Sequence, residues 1–343
     1  MLLQENVPLS AYSTMRLGGP ARYLAEIQNR NEIKEAVDWA TQQNLPVVMV
    51  GGGSNIFWND SGYNGLVLIN RIMGFEIFKE DDLNAFVTVG AGEDWDSVVK
   101  RVVEAGYGGI QELSLIPGTA GATPIQNVGA YGREMSEVLV TIEAFDRQTD
   151  QLVNLRASEC EFSYRSSRFK TTDKGRFFIS AITFLATKTP PLPPFYGAVE
   201  TYFKEHHITE FTPSTIRKAV IAIRSAKLPD PVKVANNGSF FHNPIIAADL
   251  FRQLVDDYPN MVYWHQDDGT VKLSAAWLVD HAGFRNFHDE ALGFGTWVNQ
   301  SLVIVNENST KTADLLAFKQ QIVDTVKDKF GVTLNQEPEL IES

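Results

Sequence analysis

A glycine-rich turn follows the short apolar run Val47–Val50 and is formed by Gly51, Gly52, Gly53, Ser54 and Asn55. Consecutive glycines allow positive φ and let a ligand approach the backbone closely. The exposed N–H groups of such a turn form an anion-binding nest that suits a pyrophosphate. The turn is not a Rossmann fingerprint, because Ile56 stands where a third glycine is required, and no Gly-Lys-Ser/Thr follows as in a Walker A loop. It indicates either a phosphate site or a tight structural turn.

A second segment that could hold a ligand, residues 117–132, reads PGTAGATPIQNVGAYG and has neither helical nor strand periodicity. Its side chains are too small to build a core, so we expect another group to fill the space against them. The alternative is an irregular loop between domains, although structureless loops of this length tend to be functional. Two amide side chains in the segment could meet a heterocycle edge or a phosphate. We predict cofactor contacts at Pro117, Gly118, Gly121, Ala122, Gln126, Asn127 and Gly129.

Charged and hydroxyl side chains elsewhere could act on a bound substrate. Residues 163–170, SYRSSRFK, place three cations among hydroxyls and aromatics, and the planar Arg165 guanidinium is the best bidentate donor for a carboxylate. Ser239 precedes two aromatics, and Phe241 stands where a nucleophile elbow requires glycine, yet a hydroxyl in an apolar setting could still donate a proton. The competing interpretations are solvated surface charge and an ordinary turn serine. Glu339, four residues from the C-terminus, is expected from its position to lie in a frayed, exposed tail.

The whole chain has the composition of a globular protein and is acidic. Its 343 residues are 44% hydrophobic, and 30 Lys and Arg against 42 Asp and Glu give a formal net charge of −12. This balance argues against nucleic acid or an anionic membrane surface as a partner, and the length predicts two or three domains. The lone Cys160 excludes an internal disulfide framework and indicates a reducing cytoplasm. With six histidines and no His-Glu-x-x-His motif, we expect no metal site.

Targeting and membrane segments are not expected. The N-terminus MLLQENVPLSAY lacks a basic region that leads into a long apolar run. The longer apolar stretches fall far short of the ~20 residues that a membrane span needs. We therefore predict a cytoplasmic protein.

The elements that must position these residues alternate in the first third of the chain. Apolar residues at helical spacing predict a helix near 33–40, opened by a capping box at Asn29 and Glu32, and another near 95–103, ended by Gly106. Strands are predicted at 47–50, 65–69 and 85–89. This third is therefore predicted to be α/β, with its chemistry at strand-to-helix turns.

The later part of the chain has a different pattern. Strands are predicted at 138–145 and 177–184, and the proline-rich stretch 189–197 is the clearest linker or loop signal. Thr212 and Pro213 form a good N-cap and N1 pair for a helix that ends near two prolines. The remaining predicted elements, which indicate a separate α+β domain, are helices near 247–256, 274–281 and 313–327 and strands at 302–305 and 332–334.

Taken together, eight segments resemble one family, the UDP-N-acetylenolpyruvoylglucosamine reductases, which are flavoenzymes of bacterial cell-wall precursor synthesis. The segments run in family order from residue 13 to residue 339, so they cover nearly the whole chain. The combination of GSFF with PIQNVGAYG is highly specific. In order they are STMRLGGPA, VGGGSN, IPGTAGATPIQNVGAYG, SYRSSRFK, KLPDP, GSFFHNP, SAAWLVDHAGF and EPE.

The resemblance implies an α+β fold of three domains. Two would form an FAD-binding module of the vanillyl-alcohol-oxidase type, and an α+β domain would bind the UDP-sugar. The expected ranges are 1–70 for the first FAD-binding subdomain, with the tail 335–343 as a candidate addition to it, 71–210 for the second and 211–334 for the substrate domain. A monomer that acts on small molecules is expected.

The same resemblance implies a reaction. NADPH would reduce FAD, leave, and be replaced by UDP-N-acetylglucosamine enolpyruvate, whose enolpyruvyl group would be reduced to give UDP-N-acetylmuramate. Arg165, Ser239 and Glu339 match the family's catalytic residues. Hydride addition to a carbon–carbon double bond conjugated to a carboxylate gives an enolate-like intermediate. Arg165 can stabilise this intermediate, and Ser239 can protonate the carbon next to the carboxylate. An ionised Glu339 would repel that charge, so we predict that Glu339 acts protonated or through a hydrogen-bonded proton.

Three further residues match substrate contacts of the family: Tyr196, Lys227 and Asn243, of which the first marks the family's longer variant. His242 stands where the family commonly has lysine, so a fixed positive charge is lost there or becomes pH-dependent. Two rival interpretations are a flavin oxidoreductase with a different substrate and a catalytically inactive UDP-sugar sensor. GSFF, Lys227 and Glu339 argue against the first, and the intact catalytic residues disfavour the second.

Overall fold

A computed structural model describes residues 1–342, and these residues form an assembly of β-sheets flanked by helices. The first helices and strands are β1 (Gln4–Pro8), β2 (Pro20–Ile27), α1 (Arg30–Gln42), β3 (Val47–Val50), β4 (Ile56–Trp58) and β5 (Tyr63–Asn70). The next are β6 (Phe75–Lys79), β7 (Asn84–Gly90), α2 (Trp95–Glu104), β8 (Gly129–Ala130), β9 (Arg133–Glu134), β10 (Leu139–Asp146), β11 (Gln151–Arg156), β12 (Phe177–Thr187) and α3 (Gly197–Glu205). The last are α4 (Pro213–Lys227), β13 (Ala235–Ser239), β14 (Ile245–Ile246), α5 (Ala248–Asp257), β15 (Tyr263–His265), β16 (Val271–Leu273), α6 (Ala275–Val279), β17 (His288–Asp289), β18 (Phe294–Trp297), β19 (Gln300–Asn306), α7 (Thr312–Phe330) and β20 (Glu339–Ile341).

The first sheet has the strand order β1-β2-β5-β3, and helix α1 packs against it. Asn29 caps α1 as predicted, because its side chain accepts the N–H groups of Asn31 and Glu32. The Glu32 carboxylate accepts the N–H of Gln28 instead of closing the predicted box on Asn29. The glycine turn leads from β3 into β4, so the expectation of a strand-to-helix turn at this point is wrong.

The second sheet is antiparallel, with the order β11-β10-β12-β7-β6. Helix α2 covers it and buries Trp95, Val98 and Val102, which are the residues at helical spacing in the sequence. Two aromatic side chains, Phe145 and Phe178, pack into the same buried cluster as α1 and the first sheet. The first and second sheets therefore share part of one core.

The third sheet, β13-β19-β18-β17, packs with α5, α6 and α7 around a separate large core. The helices predicted near 247–256, 274–281 and 313–327 are confirmed as α5, α6 and α7. Helix α4 follows the predicted cap at Thr212. The predicted strand at 332–334 is wrong, because Val332 and Leu334 bury their side chains in this core without pairing their backbone in a ladder. Strand β13 and helix α3 were not predicted from the sequence.

The C-terminal residues 335–341, which we call the C-terminal strap, return to the first sheet. The N–H of His242 donates to the carbonyl of Asn335, and the N–H of Glu337 donates to the carbonyl of Phe240, both at 2.9 Å. Strand β20 then pairs in parallel with β4. The expectation of a frayed tail at Glu339 is therefore wrong, because this residue is half-buried in a strand.

Within residues 1–342 no helix is long and apolar enough to cross a bilayer. The predicted domain ranges stay predictions.

Candidate active site

A cavity lies between the first and second sheets, and two loops form most of its wall. One is the glycine turn between β3 and β4, and the other is the small-residue segment that follows α2. Ten of the twelve residues predicted to contact a cofactor line this cavity: Gly51, Gly52, Gly53, Ser54, Asn55, Pro117, Gly118, Gly121, Ala122 and Gln126.

The two loops touch each other through glycine. A Cβ atom on Gly51 would clash with Thr119 Oγ1, and one on Gly52 would lie only 3.1 Å from the Cα of Gly118. Gly53 has φ +68°, and a Cβ there would clash with the carbonyl of Tyr12. A side chain on Gly51 or Gly52 would push the two loops apart, and one on Gly53 would displace the backbone of Tyr12. These glycines therefore let bare backbone line the cavity.

Polar side chains hold the two loops in register. Ser54 donates its hydroxyl to the carbonyl of Pro117 at 2.8 Å, and the Asn55 amide donates to Gln126 Oε1. The Thr119 hydroxyl, by contrast, is buried without a hydrogen-bond partner in residues 1–342. Because a buried hydroxyl normally finds a partner, this one indicates a ligand group. Thr119 was missed by the sequence analysis although it lies inside the small-residue segment.

Asn127 and Gly129 lie behind the cavity wall. The buried Asn127 side chain donates to Glu134 Oε2 at 2.7 Å and to the Ser163 carbonyl at 3.2 Å, and it accepts the N–H of Ser136 at 3.0 Å. Its amide is thus engaged by the protein. These hydrogen bonds fix the loop whose backbone carbonyls, at Asn127 and Gly129, face Arg165.

The carbonyls of Asn127 and Gly129 accept hydrogen bonds from the Arg165 guanidinium. Nη2 of Arg165 donates to the carbonyl of Gly129, and Nη1 donates to that of Asn127 at 3.4 Å. A Cβ on Gly129 would lie 2.7 Å from Nη1, so glycine is required for this approach. Two carboxylates flank the guanidinium: Glu134 Oε1 is 3.6 Å from Nη1 and Glu337 Oε1 is 3.8 Å from Nε.

Glu339 reaches the cavity from the C-terminal strap. Its N–H donates to the Asn55 carbonyl at 2.9 Å, which places β20 directly beside the glycine turn. Its carboxylate forms an ion pair with Lys174, and Lys170 lines the same part of the cavity. Burial lowers the pKa of Lys170. The prediction that Glu339 acts through a proton stays a prediction.

Ser239 lies at the end of β13, next to a bulge. The pairing of β13 with β19 shifts in register between Asn236 and Ser239, and Gly238 adopts φ +70° within the shift. The N–H of Gly238 donates to Asn236 Oδ1 at 2.8 Å. Bulges of this kind redirect the following side chain, which here is the half-buried Ser239.

Asn237, in the same bulge, connects β13 to the cavity wall. Its side-chain amide donates to Thr14 Oγ1 at 3.1 Å and to the carbonyls of Ser54 at 3.2 Å and Ile56 at 3.1 Å. The third sheet is therefore joined to the glycine turn at two places, the bulge and the C-terminal strap.

His242 lies close to the strap and is neutral at physiological pH. Burial, and then the charges of Lys170 and Arg165, lower the pKa of His242 to about 4. Its Nδ1 is buried and lies 3.5 Å from Glu337 Oε2. The positive charge that lysine would carry at this position is lost at neutral pH.

The three residues matched to substrate contacts, Tyr196, Lys227 and Asn243, lie in different parts of the structure. Asn243 follows His242, and its Oδ1 accepts the N–H of Ala275 at 3.0 Å where α6 begins. Tyr196 is 49% exposed and packs edge-on against Tyr131, with ring centroids 5.6 Å apart. Lys227 is the exposed last residue of α4. Asn243 lies near the strap, but none of the three residues is in the lining of the cavity. Arg165 and Ser239 are also outside that lining, whereas Glu339 is part of it.

Comparison with known proteins assigns families to both parts of the chain. Residues 21–155 match the FAD binding domain family, and residues 230–341 match the UDP-N-acetylenolpyruvoylglucosamine reductase C-terminal domain family. A UDP-N-acetylenolpyruvoylglucosamine reductase from Pseudomonas putida is 39% identical over 98% of both chains. One from Cupriavidus pinatubonensis is 39% identical over 97% of this chain and 98% of the relative. The structure of the Thermus caldophilus reductase has the same fold, with a TM-score of 0.68 at 20% identity over 99% of this chain and 100% of that one.

An FAD-binding domain whose cavity is lined by backbone and hydroxyl donors defines a flavin-dependent oxidoreductase. The chain belongs to the UDP-N-acetylenolpyruvoylglucosamine reductase family. The family and the α+β class predicted from the sequence are thus confirmed. The glycine contacts and the unpartnered Thr119 hydroxyl fit the phosphates of FAD.

Proposed function

We propose that this chain catalyses the NADPH-dependent reduction of UDP-N-acetylglucosamine enolpyruvate to UDP-N-acetylmuramate, a step in peptidoglycan precursor synthesis. The observation that carries the proposal is the C-terminal strap, which brings Glu337 to Arg165 and Glu339 to the cavity. The glycine turn, residues 117–126 and the Thr119 hydroxyl would hold FAD. When bound, FAD supplies hydride transfer from NADPH to the substrate. The UDP-sugar substrate and the single buried thiol support a cytoplasmic location.

Arg165 would stabilise the negative charge that develops on the substrate carboxylate. A guanidinium has five N–H donors in a planar fork, and the carbonyls of Asn127 and Gly129 take one each from Nη1 and Nη2. The second N–H of Nη2 is then available to a carboxylate oxygen. A fixed donor of this kind contributes about 10²–10³ in rate.

Ser239 would protonate the carbon next to that carboxylate. Its hydroxyl is a weak acid, but the enolate-like intermediate is a strong base, so proton transfer can be downhill. Glu339 would supply or relay a proton beside it, and Lys174, its partner, can compensate the carboxylate after the proton has left. General-acid catalysis is worth roughly 10²–10⁴ in rate.

The UDP-sugar would be bound by Asn243, Lys227 and Tyr196. An exposed ammonium such as that of Lys227 suits a diphosphate. The exposed Tyr196 ring offers an apolar face and a hydroxyl to a sugar.

An anaerobic titration tests the proposal. The purified protein is expected to show bands at about 370 and 450 nm that bleach with NADPH and recover with the enolpyruvyl sugar, as the hydride relay requires. Bleaching without recovery would reject the substrate and favour another flavin oxidoreductase. Binding of the sugar without bleaching by NADPH would favour a sensor. The same titration with NADH tests the choice of donor.

A further inference from the structure

Glu337 carries a largely buried carboxylate where three segments of the chain meet. It lies on the C-terminal strap, and its side chain is 14% exposed. Its N–H donates to the carbonyl of Phe240, and its own carbonyl accepts the Lys170 ammonium at 3.4 Å. Its Oε1 is 3.8 Å from Arg165 Nε, and its Oε2 is 3.5 Å from His242 Nδ1. The strap, residues 163–170 (which we call the cation segment) and the residues after β13 are thus all in contact with this one residue.

The charges around Glu337 explain why a carboxylate occupies this place. A buried carboxylate is strongly unfavourable unless it is paired. Arg165 and Lys170 face it from the cation segment, whereas His242, on the segment after β13, is neutral at pH 7. Burial raises the pKa of Glu337, and the two cations oppose that effect. The carboxylate therefore depends on Arg165, and Arg165 in turn has a partner on its Nε side.

The contacts of Arg165 are distributed over two edges of its guanidinium. The carbonyls of Asn127 and Gly129 accept from the Nη atoms, and Glu337 faces Nε. Because the group is planar and rigid, contacts on both edges determine its plane. The backbone of Arg165 is also held at φ +53°, a conformation that surrounding contacts must maintain.

We propose that Glu337 is a positioning residue for the reduction: its carboxylate faces Nε and holds the Arg165 guanidinium so that the N–H of Nη2 not taken by Gly129 faces the substrate carboxylate. The inference rests on the proposed function, because it needs Arg165 to act on that carboxylate. Glu337 touches Arg165 and acts only through it.

The first test compares Glu337→Gln with the wild type in two stopped-flow half-reactions. The amide keeps the shape but removes the charge that orients Nε. Reoxidation of the reduced flavin by the enolpyruvyl sugar is expected to slow by about 10–100-fold, as for a small misplacement of a catalytic group. Reduction by NADPH is expected to stay within about twofold of the wild type, since hydride donation creates no carboxylate charge for Arg165 to stabilise.

A matched control is Glu307→Gln. Glu307 also contacts a histidine, since its Oε1 lies 2.6 Å from His288 Nδ1, but it directly follows β19 of the third sheet and does not contact Arg165. This variant is expected to leave both half-reactions unchanged. Equal slowing in the two variants would show a general effect of charge removal and would overturn the proposal.

A double-mutant cycle with Arg165→Lys separates positioning from a merely structural role. If Glu337 acts through Arg165, adding Glu337→Gln to Arg165→Lys should slow reoxidation by less than about threefold, because the oriented group is already gone. Independent, multiplying effects would overturn the proposal. Should the amide variant fail to fold, Glu337→Asp keeps the charge, and its reoxidation rate is expected within about tenfold of the wild type.

The outcomes distinguish the two levels of inference. If the enolpyruvyl sugar fails to reoxidise the wild-type flavin, the proposed function is wrong. If the wild type and Glu337→Gln reoxidise equally fast, the proposed function stands and the role of Glu337 alone is wrong.

Discussion

His242 illustrates how the surroundings of a single side chain change its chemistry. The sequence indicated only that a fixed charge is lost or becomes pH-dependent at this position. In the structure the imidazole is half-buried beside Arg165, Lys170 and Glu337, and its pKa falls to about 4. Protonation inside the site is therefore unfavourable, and His242 contributes size and shape at neutral pH.

This pKa predicts how stability depends on pH. The histidine has a pKa of about 4 in the folded chain against 6.5 as its ordinary value, so the unfolded chain binds more protons between these values. Stability should therefore fall as the pH is lowered from about 6.5 to 4, by an amount on the order of 1–3 kcal/mol from this residue.

Thermal denaturation of the wild type and of His242→Gln across this range measures the effect. The glutamine variant should lose less stability on acidification. Glu337 is present in both proteins, so its own titration is largely common to the two curves. Parallel curves would contradict the assignment.

Ser239 provides a second prediction for a single residue. Ser239→Ala removes the proposed proton donor, so reoxidation of the reduced flavin by the enolpyruvyl sugar should slow by about 10²–10⁴-fold. Flavin reduction by NADPH needs no proton from this hydroxyl and should be unchanged. Single-turnover absorbance at the flavin band measures both, and an unaffected reoxidation rate would refute the role.

Among the elements, the glycine turn shows that backbone can line a site where side chains cannot. The turn lies between two strands and contacts the small-residue segment so closely that a methyl group on Gly51 has no room. Its two flanking strands are held by different neighbours: β5 lies beside β3, and the strap pairs with β4.

Gly51→Ala is therefore expected to weaken the retention of FAD at least about tenfold, because the added Cβ displaces Thr119 from the cavity wall. Gly197→Ala is the matched control, since a Cβ there meets no atom within 4 Å in the described residues. The flavin content after purification and the Kd of reconstitution measure the effect. Equal retention in the two variants would show that the contact between the loops is unimportant.

For the whole molecule, the stability of the arrangement depends on contacts between distant segments. Arg217 of α4 forms a two-point contact with Asp96 of α2, with Nη1 to Oδ1 at 2.6 Å and Nη2 to Oδ2 at 2.8 Å. The Arg217 side chain is 10% exposed, so this pair is largely removed from water. Breaking one partner of a buried pair leaves the other charge uncompensated.

Arg217→Leu is expected to lower the free energy of unfolding by about 2–4 kcal/mol, reduced from a fully buried case because Asp96 is 28% exposed. Lys79→Leu is the comparison, since Lys79 and Asp82 form an exposed pair worth at most about 1 kcal/mol. Urea denaturation midpoints measure both variants. A shift for Arg217→Leu no larger than that for Lys79→Leu would contradict the importance of this contact.

Local sequence patterns predicted elements better than they predicted connections. The spacing of Val98 and Val102 and the cap at Thr212 depend on neighbours within a few residues, and the corresponding helices are confirmed. The predicted strand at 332–334 failed because its apolar residues are buried by packing and not by strand pairing. An alternating or apolar sequence pattern does not distinguish a strand that is buried in a sheet from an irregular segment whose side chains are buried in the core.

The sequence by itself determined the family, the α+β class, all the α-helices except α3 and the two loops that line the cavity, since these depend on motif order, periodicity and side-chain size. Only the tertiary structure decided that Asn127 supports the loop to which Arg165 donates and that Glu337 contacts Arg165. It also decided that the Thr119 hydroxyl has no hydrogen-bond partner within residues 1–342. These contacts join residues that are far apart in the sequence; Arg165 and Glu337 are 172 positions apart. Desolvation and pairing depend on every segment packed around a group, and a linear pattern does not contain that information.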